Sequence, residues 1–78
     1  MTQTERRIMY VLLHARGQTV TYQALLERVW NITTEARVEY HEAHLVRVNV
    51  ARVRPKLDPP LRIETHRGVG YRLVQVAP

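Results

Sequence analysis

Cysteine is absent from the 78 residues, which excludes a disulfide framework and thiolate metal or redox chemistry and fits a reducing, cytoplasmic setting. No apolar run approaches the roughly 20 residues of a membrane span. The opening MTQTERRIMYVLLHAR is broken by charges, so neither a membrane segment nor a signal peptide is expected. No nucleophile sits with a base and no glycine-rich phosphate loop is present, so an enzyme is not expected. His41 and His44 lie three apart and share a helix face, but no third ligand stands at metal-site spacing, so neither a metal nor another cofactor is expected. Size sets a further bound: a chain of this length buries only about 60–65% of the surface its unfolded form exposes, which leaves room for one small core.

Lysine is nearly missing as well. Lys56 stands alone against eleven arginines in a chain of net charge +5. Residues 1–43 balance five Arg with five Glu, whereas residues 44–78 carry six Arg and Lys56 against Asp58 and Glu64. The whole excess therefore lies in the last 35 residues. A localised, arginine-rich field suits a polyanion, because the planar guanidinium donates to phosphates and guanine edges in pairs. A solvated basic surface is the competing reading.

The stretch His44 to Leu57, HLVRVNVARVRPKL, divides by face. At 3.6 residues per turn Val46, Val50, Val53 and Leu57 form one stripe, His44, Val48 and Ala51 point away from it, and Arg47, Arg52 and Arg54 flank it. Upstream, Thr2-Gln3-Thr4-Glu5 has the form of a capping box. Ile8, Val11, Leu12 and Ala15 then repeat on one face until Gly17, which predicts a helix over about 3–15. Thr19-Val20 is short and β-prone; Thr21 can cap a second helix over about 21–30 whose stripe is Leu25, Leu26, Val29 and Trp30. Residues 31–40 are polar and read as a loop, long enough to serve as a contact surface. The third helix spans about 41–57, with a kink or looser last turn expected at Arg54–Lys56 because of Pro55. After Asp58-Pro59-Pro60, two alternating runs over about 61–76 enclose Arg67-Gly68-Val69-Gly70 as a hairpin that must pack on the helices.

The expected class is thus mainly α with a C-terminal β-hairpin, three helices plus wing, in the element order of a winged helix-turn-helix. The residues carry the likeness further. Thr2-Gln3-Thr4-Glu5 with Ile8 and Leu12, Val20-Thr21 with Leu25-Leu26 and Val29-Trp30, Val53-Arg54-Pro55-Lys56-Leu57, and Glu64 through Leu73 resemble, in order and spacing, the effector domain of OmpR/PhoB-type two-component response regulators. His44 through Val50 resembles the KdpE-type subgroup.

The resemblance implies sequence-specific binding of double-stranded DNA for transcriptional regulation, with the third helix in the major groove and the wing in the minor groove. Those roles would fall to the third helix around His44, Arg47, Val48, Ala51, Arg52 and Arg54, with Arg47 and Arg52 at base edges and Arg54 and Lys56 at phosphates, to Thr65 and Arg67 in the wing, and to Trp30 on the backbone. The 31–40 loop matches the segment that approaches RNA polymerase or a neighbouring protomer, and a homodimer on tandem sites is implied. Three departures stand out. Arg47 replaces an acidic residue common in the family, Pro55 replaces a helix-compatible one, and the small sheet and receiver domain that ordinarily precede the first helix are absent from this chain. The face such a sheet would cover, at Met9 and Leu13, is expected to be exposed or used in self-association. The alternative function is a winged-helix interaction or dimerisation module without specific DNA binding.

Overall fold

The Thr2 hydroxyl accepts from the Glu5 amide at 3.2 Å, and the Glu5 carboxylate accepts from the Thr2 amide at 3.2 Å. This reciprocal cap starts α1 (Gln3–His14). The helix stops one residue short of the expected end, where Arg16 and Gly17 both take positive φ, at 51° and 85°. In the computed structural model, which describes residues 1–34 and 37–76, the remaining elements are β1 (Val20–Thr21), α2 (Tyr22–Trp30), α3 (Tyr40–Val53), a 3-10 turn (Arg54–Lys56), β2 (Leu61–His66) and β3 (Gly70–Gln75). Thr21 caps α2 by accepting from the Ala24 amide at 3.1 Å, and Asn31, at φ 57°, closes that helix in the left-handed region.

The third helix, expected over about 41–57, runs as an α-helix only to Val53. Pro55 has no amide hydrogen to continue the ladder, so the chain tightens into the 3-10 turn and leaves it through the Leu57 amide, which donates to the Arg54 carbonyl at 3.2 Å. The expected contact surface at 31–40 includes residues 35 and 36, which lie outside the described residues.

The hairpin pairs β2 with β3 in register from Leu61 opposite Gln75 to His66 opposite Gly70. It is not isolated. Val20 and Thr21 add to β3 opposite Tyr71 and Gly70, giving an antiparallel sheet of order β1-β3-β2. The β-prone stretch expected at Thr19-Val20 thus lies one residue on, at Val20–Thr21, where it fastens the wing to the start of α2. The core is one cluster: Ile8 and Leu12 of α1, Leu25 and Leu26 of α2, Val46, Val50 and Val53 of α3, and Ile63, Tyr71 and Leu73 from the sheet. Removing the larger of these side chains from water stabilises the fold by about 1.5–3 kcal/mol apiece. Met9, expected on an uncovered face, is only 8% exposed and belongs to this cluster, whereas Leu13 stays 52% exposed. The two lie four residues apart, but Met9 leans toward the core stripe of α1 and Leu13 away from it.

Two glycines shape the wing for different reasons. Gly68 takes φ 76° in the turn, while a Cβ on Gly70 would stand 1.9 Å from the Val20 carbonyl oxygen. Gly70→Ala is expected to lower stability by about 1–3 kcal/mol by forcing β1 off β3. Gly68→Ala meets open space and should lose about 1 kcal/mol through backbone strain alone. Urea melts of both variants check the order; an equal or smaller loss for Gly70→Ala would contradict the close-approach account.

Candidate nucleic-acid interface

Val46, Val50 and Val53 are fully buried and fix the inner side of α3. At about 100° per residue, His44, Val48 and Ala51 then fall on the outer side, with Arg47 and Arg52 on its two margins. His44, Arg47, Ala51 and Arg52 are exposed, and Val48 is partly covered. Tyr40 opens the same face, 79% exposed, its ring stacked on His44 with centroids 6.3 Å apart. Tyr40 is absent from the sequence-derived set. Its spacing of four from His44 was the available signal, hidden because Tyr40 reads equally well as the last residue of the loop.

The remaining arginines of the basic half divide sharply. Arg54, expected at a phosphate, donates through Nη2 to the Thr65 hydroxyl at 2.6 Å and through Nε to the Ile63 carbonyl at 3.4 Å. Its guanidinium also lies 5.7 Å from the Tyr71 ring centre. Arg54 and Thr65 therefore hold each other and tie the end of α3 to the wing. Lys56, also expected at a phosphate, donates to the Glu5 carboxylate at 2.6 Å and joins the 3-10 turn to α1. Arg62 and Arg72 bracket Glu64 at 2.9 and 2.7 Å on the outer face of the sheet. Arg67 is exposed in the turn between β2 and β3, and Trp30, half-buried, packs against the core at the end of α2.

The wing lies beside the Arg47 margin of α3 because Tyr22 touches both. The Tyr22 amide donates to the Val69 carbonyl in the wing turn at 3.1 Å, and the Arg47 guanidinium lies 5.8 Å from the Tyr22 ring centre. Burial, together with the Tyr22 hydroxyl 3.4 Å away, pushes the Tyr71 hydroxyl up to about 12 against the opposing pull of Arg54 and Arg47, so it stays neutral at physiological pH. No helix among the described residues is long and apolar enough to cross a membrane. The outer surface is therefore a convex helix with a projecting hairpin at one margin, carrying cations that no protein carboxylate neutralises at Arg47, Arg52 or Arg67 among the described residues.

The family described as "Transcriptional regulatory protein, C terminal" matches residues 1–73. The chain belongs to this family. It is one of transcriptional regulatory domains and not of enzymes. The regulatory protein VanRB of Enterococcus faecalis is 33% identical over 73 residues, covering 94% of this chain and 30% of that protein. The transcriptional regulatory protein CseB of Streptomyces coelicolor is 37% identical over 73 residues, covering 94% of this chain and 29% of its own length. The chain thus spans about a third of the relatives it matches. Among solved structures, the DNA-binding domain of Bacillus subtilis CssR superposes with a TM-score of 0.75 at 27% identity, over 95% of this chain and 77% of that one. Three helices with an antiparallel sheet in this arrangement make the fold a winged helix.

Within the family fold, Glu5 has a particular place. It is buried, closes the α1 cap, and accepts from Lys56, whose ammonium holds its carboxyl below the usual range against the opposing effect of burial. Arg72 and then Arg62 do the same for Glu64. A folded-state value below the unfolded one means that the pairing stabilises above the ordinary value of 4.5 and is lost as pH falls through the lowered one. Thermal melts of the wild type are therefore expected to drop on acidification below that value, and Glu5→Gln should show a shallower acid limb. Superimposable acid limbs would show that the Glu5–Lys56 pair does not couple α1 to the end of α3.

Proposed function

We propose that this chain binds double-stranded DNA sequence-specifically and regulates transcription as the effector domain of a two-component-type regulator, laying α3 in the major groove and the wing in the adjacent minor groove. The observation that supports it best is the division of α3 into a fully buried valine side and an exposed side bearing Tyr40, His44, Arg47, Ala51 and Arg52. A helix about 10–12 Å wide with its side chains matches a major groove about 12 Å wide. In this reading Arg52 and Arg47 donate to guanine O6 and N7, while Val48 and Ala51 meet thymine methyl groups. Arg67 enters the minor groove, and Trp30 faces the phosphate backbone. Arg54 and Thr65 set the angle between helix and wing and Lys56 ties the helix end to α1, with phosphate contact a secondary role. Binding of two copies to tandem half-sites about one helical turn apart, approach of polymerase to the loop after α2, and a cytoplasmic location complete the proposal. The relatives' names, the regulatory protein VanRB, the response regulator ArlR of Staphylococcus epidermidis and the CssR DNA-binding domain, support the same reading.

The test begins with a duplex enriched by the chain from a randomised pool. Affinity for it should fall with salt at a log–log slope of about −0.9 per phosphate neutralised. Arg52→Ala is expected to weaken it by about 1–3 kcal/mol and to relax preference at one position. Arg67→Ala should reduce affinity and the selection at flanking A·T steps, and Arg37→Ala, in the loop, should leave both unchanged. No enrichment even at low salt would refute DNA binding and favour an interaction module; losses confined to Arg37→Ala would overturn the groove assignment.

A further inference from the structure

Arg47 and Arg54 are seven residues apart, two helical turns, and so line up along one margin of α3. Each lies over a tyrosine: Arg47 at 5.8 Å from the Tyr22 ring centre, Arg54 at 5.7 Å from that of Tyr71. The two rings meet edge to face, with centroids 5.5 Å apart at 74°. The result is a continuous row, Arg47–Tyr22–Tyr71–Arg54, running from the recognition helix across the start of α2 and the wing strand back to the helix end. Tyr22 is its junction, since its amide also holds the Val69 carbonyl of the wing turn.

We propose that Tyr22 is a positioning residue for Arg47, and that its ring holds the guanidinium at the groove-facing margin so that base reading by Arg47 depends on Tyr22. The inference rests on the DNA-binding reading above. Edge-to-face geometry suits two neutral rings, and the negative ring face suits a cation. Arg54 has hydrogen-bond partners besides the ring, whereas Arg47 is exposed and the Tyr22 ring is the contact the structure gives its guanidinium. An arginine held this way loses less rotamer freedom when it meets a base. Tyr22 itself, half-buried at the foot of the wing, does not need to touch the duplex.

The experiment uses the duplex enriched by the wild-type chain. Tyr22→Met keeps apolar bulk and helix propensity but removes the ring; it is expected to weaken binding about two- to fivefold, the scale of an exposed cation–π contact. Tyr22→Phe should bind as the wild type. On an Arg47→Ala background, Tyr22→Met should produce no further loss, which a merely structural role would not give. An undiminished loss on that background, or no loss with Arg47 intact, would overturn the proposal. If Tyr22→Met does not fold, the wild type still decides: the Arg47 protons next to the guanidinium carbon that lies over the Tyr22 ring should resonate upfield of those of Arg52, and coincident shifts would refute the contact. Failure of the wild type to enrich any duplex would instead refute the DNA reading, leaving the ring-current result to report on the contact alone.

Discussion

The approach of the Val20 carbonyl to the backbone at Gly70 is the contact on which the placement of the wing depends. A two-residue strand has little pairing energy of its own, and a hairpin alone is marginal in water. Pairing Val20 with Tyr71 and Thr21 with Gly70 joins them, and only a residue without a Cβ lets the backbones come close enough. From that junction Thr21 caps α2, Tyr22 reaches back to the wing turn, and Tyr71 turns inward to the core. The wing is thereby fixed to the same helix start that adjoins the Arg47 margin of α3.

The basic half of the chain is less uniformly basic in space than in sequence. Arg62 and Arg72 share Glu64, Lys56 is paired with Glu5, and Arg54 is bound to Thr65 and Tyr71. Except for Arg62, whose partner Glu64 lies on the same strand, these cations act as fasteners between elements. Those left facing outward, Arg47 and Arg52 on the helix and Arg67 in the turn, are spread across the surface that the winged-helix geometry presents. A charge count over residues 44–78 cannot separate the two groups, because most of the fasteners' partners lie on other elements.

That distinction also explains what was legible in the sequence. The Thr2–Glu5 box, the Thr21 cap, the valine stripe and the existence of the hairpin are local or periodic, and the amino-acid order carries them directly. Pro55 announced a disturbed helix end, and its form as a 3-10 turn follows from the missing amide. The family likeness supplied the wing's place in the fold. Neither route reached the Glu5–Lys56 pair, 51 residues apart, or the Tyr22–Tyr71 contact, 49 apart, since no spacing rule links such positions. Met9 was misplaced for a related reason: whether the margin of a helix is covered depends on what packs beside it.

Arg47 and Arg52 stand on opposite margins of the same outward face, but their circumstances differ. A free arginine side chain holds about 2 kcal/mol of rotamer entropy, part of which is lost on docking to a base edge. Arg47 has already given up some of that freedom to the Tyr22 ring, while Arg52 has no comparable contact among the described residues. Equal hydrogen bonds to guanine would therefore yield unequal discrimination. In the proposed DNA-binding reading, Arg47 would contribute more to base preference than its exposed location alone implies. In that reading the tyrosine at position 22 belongs to the recognition chemistry, since it orients an exposed cation without itself reaching the groove.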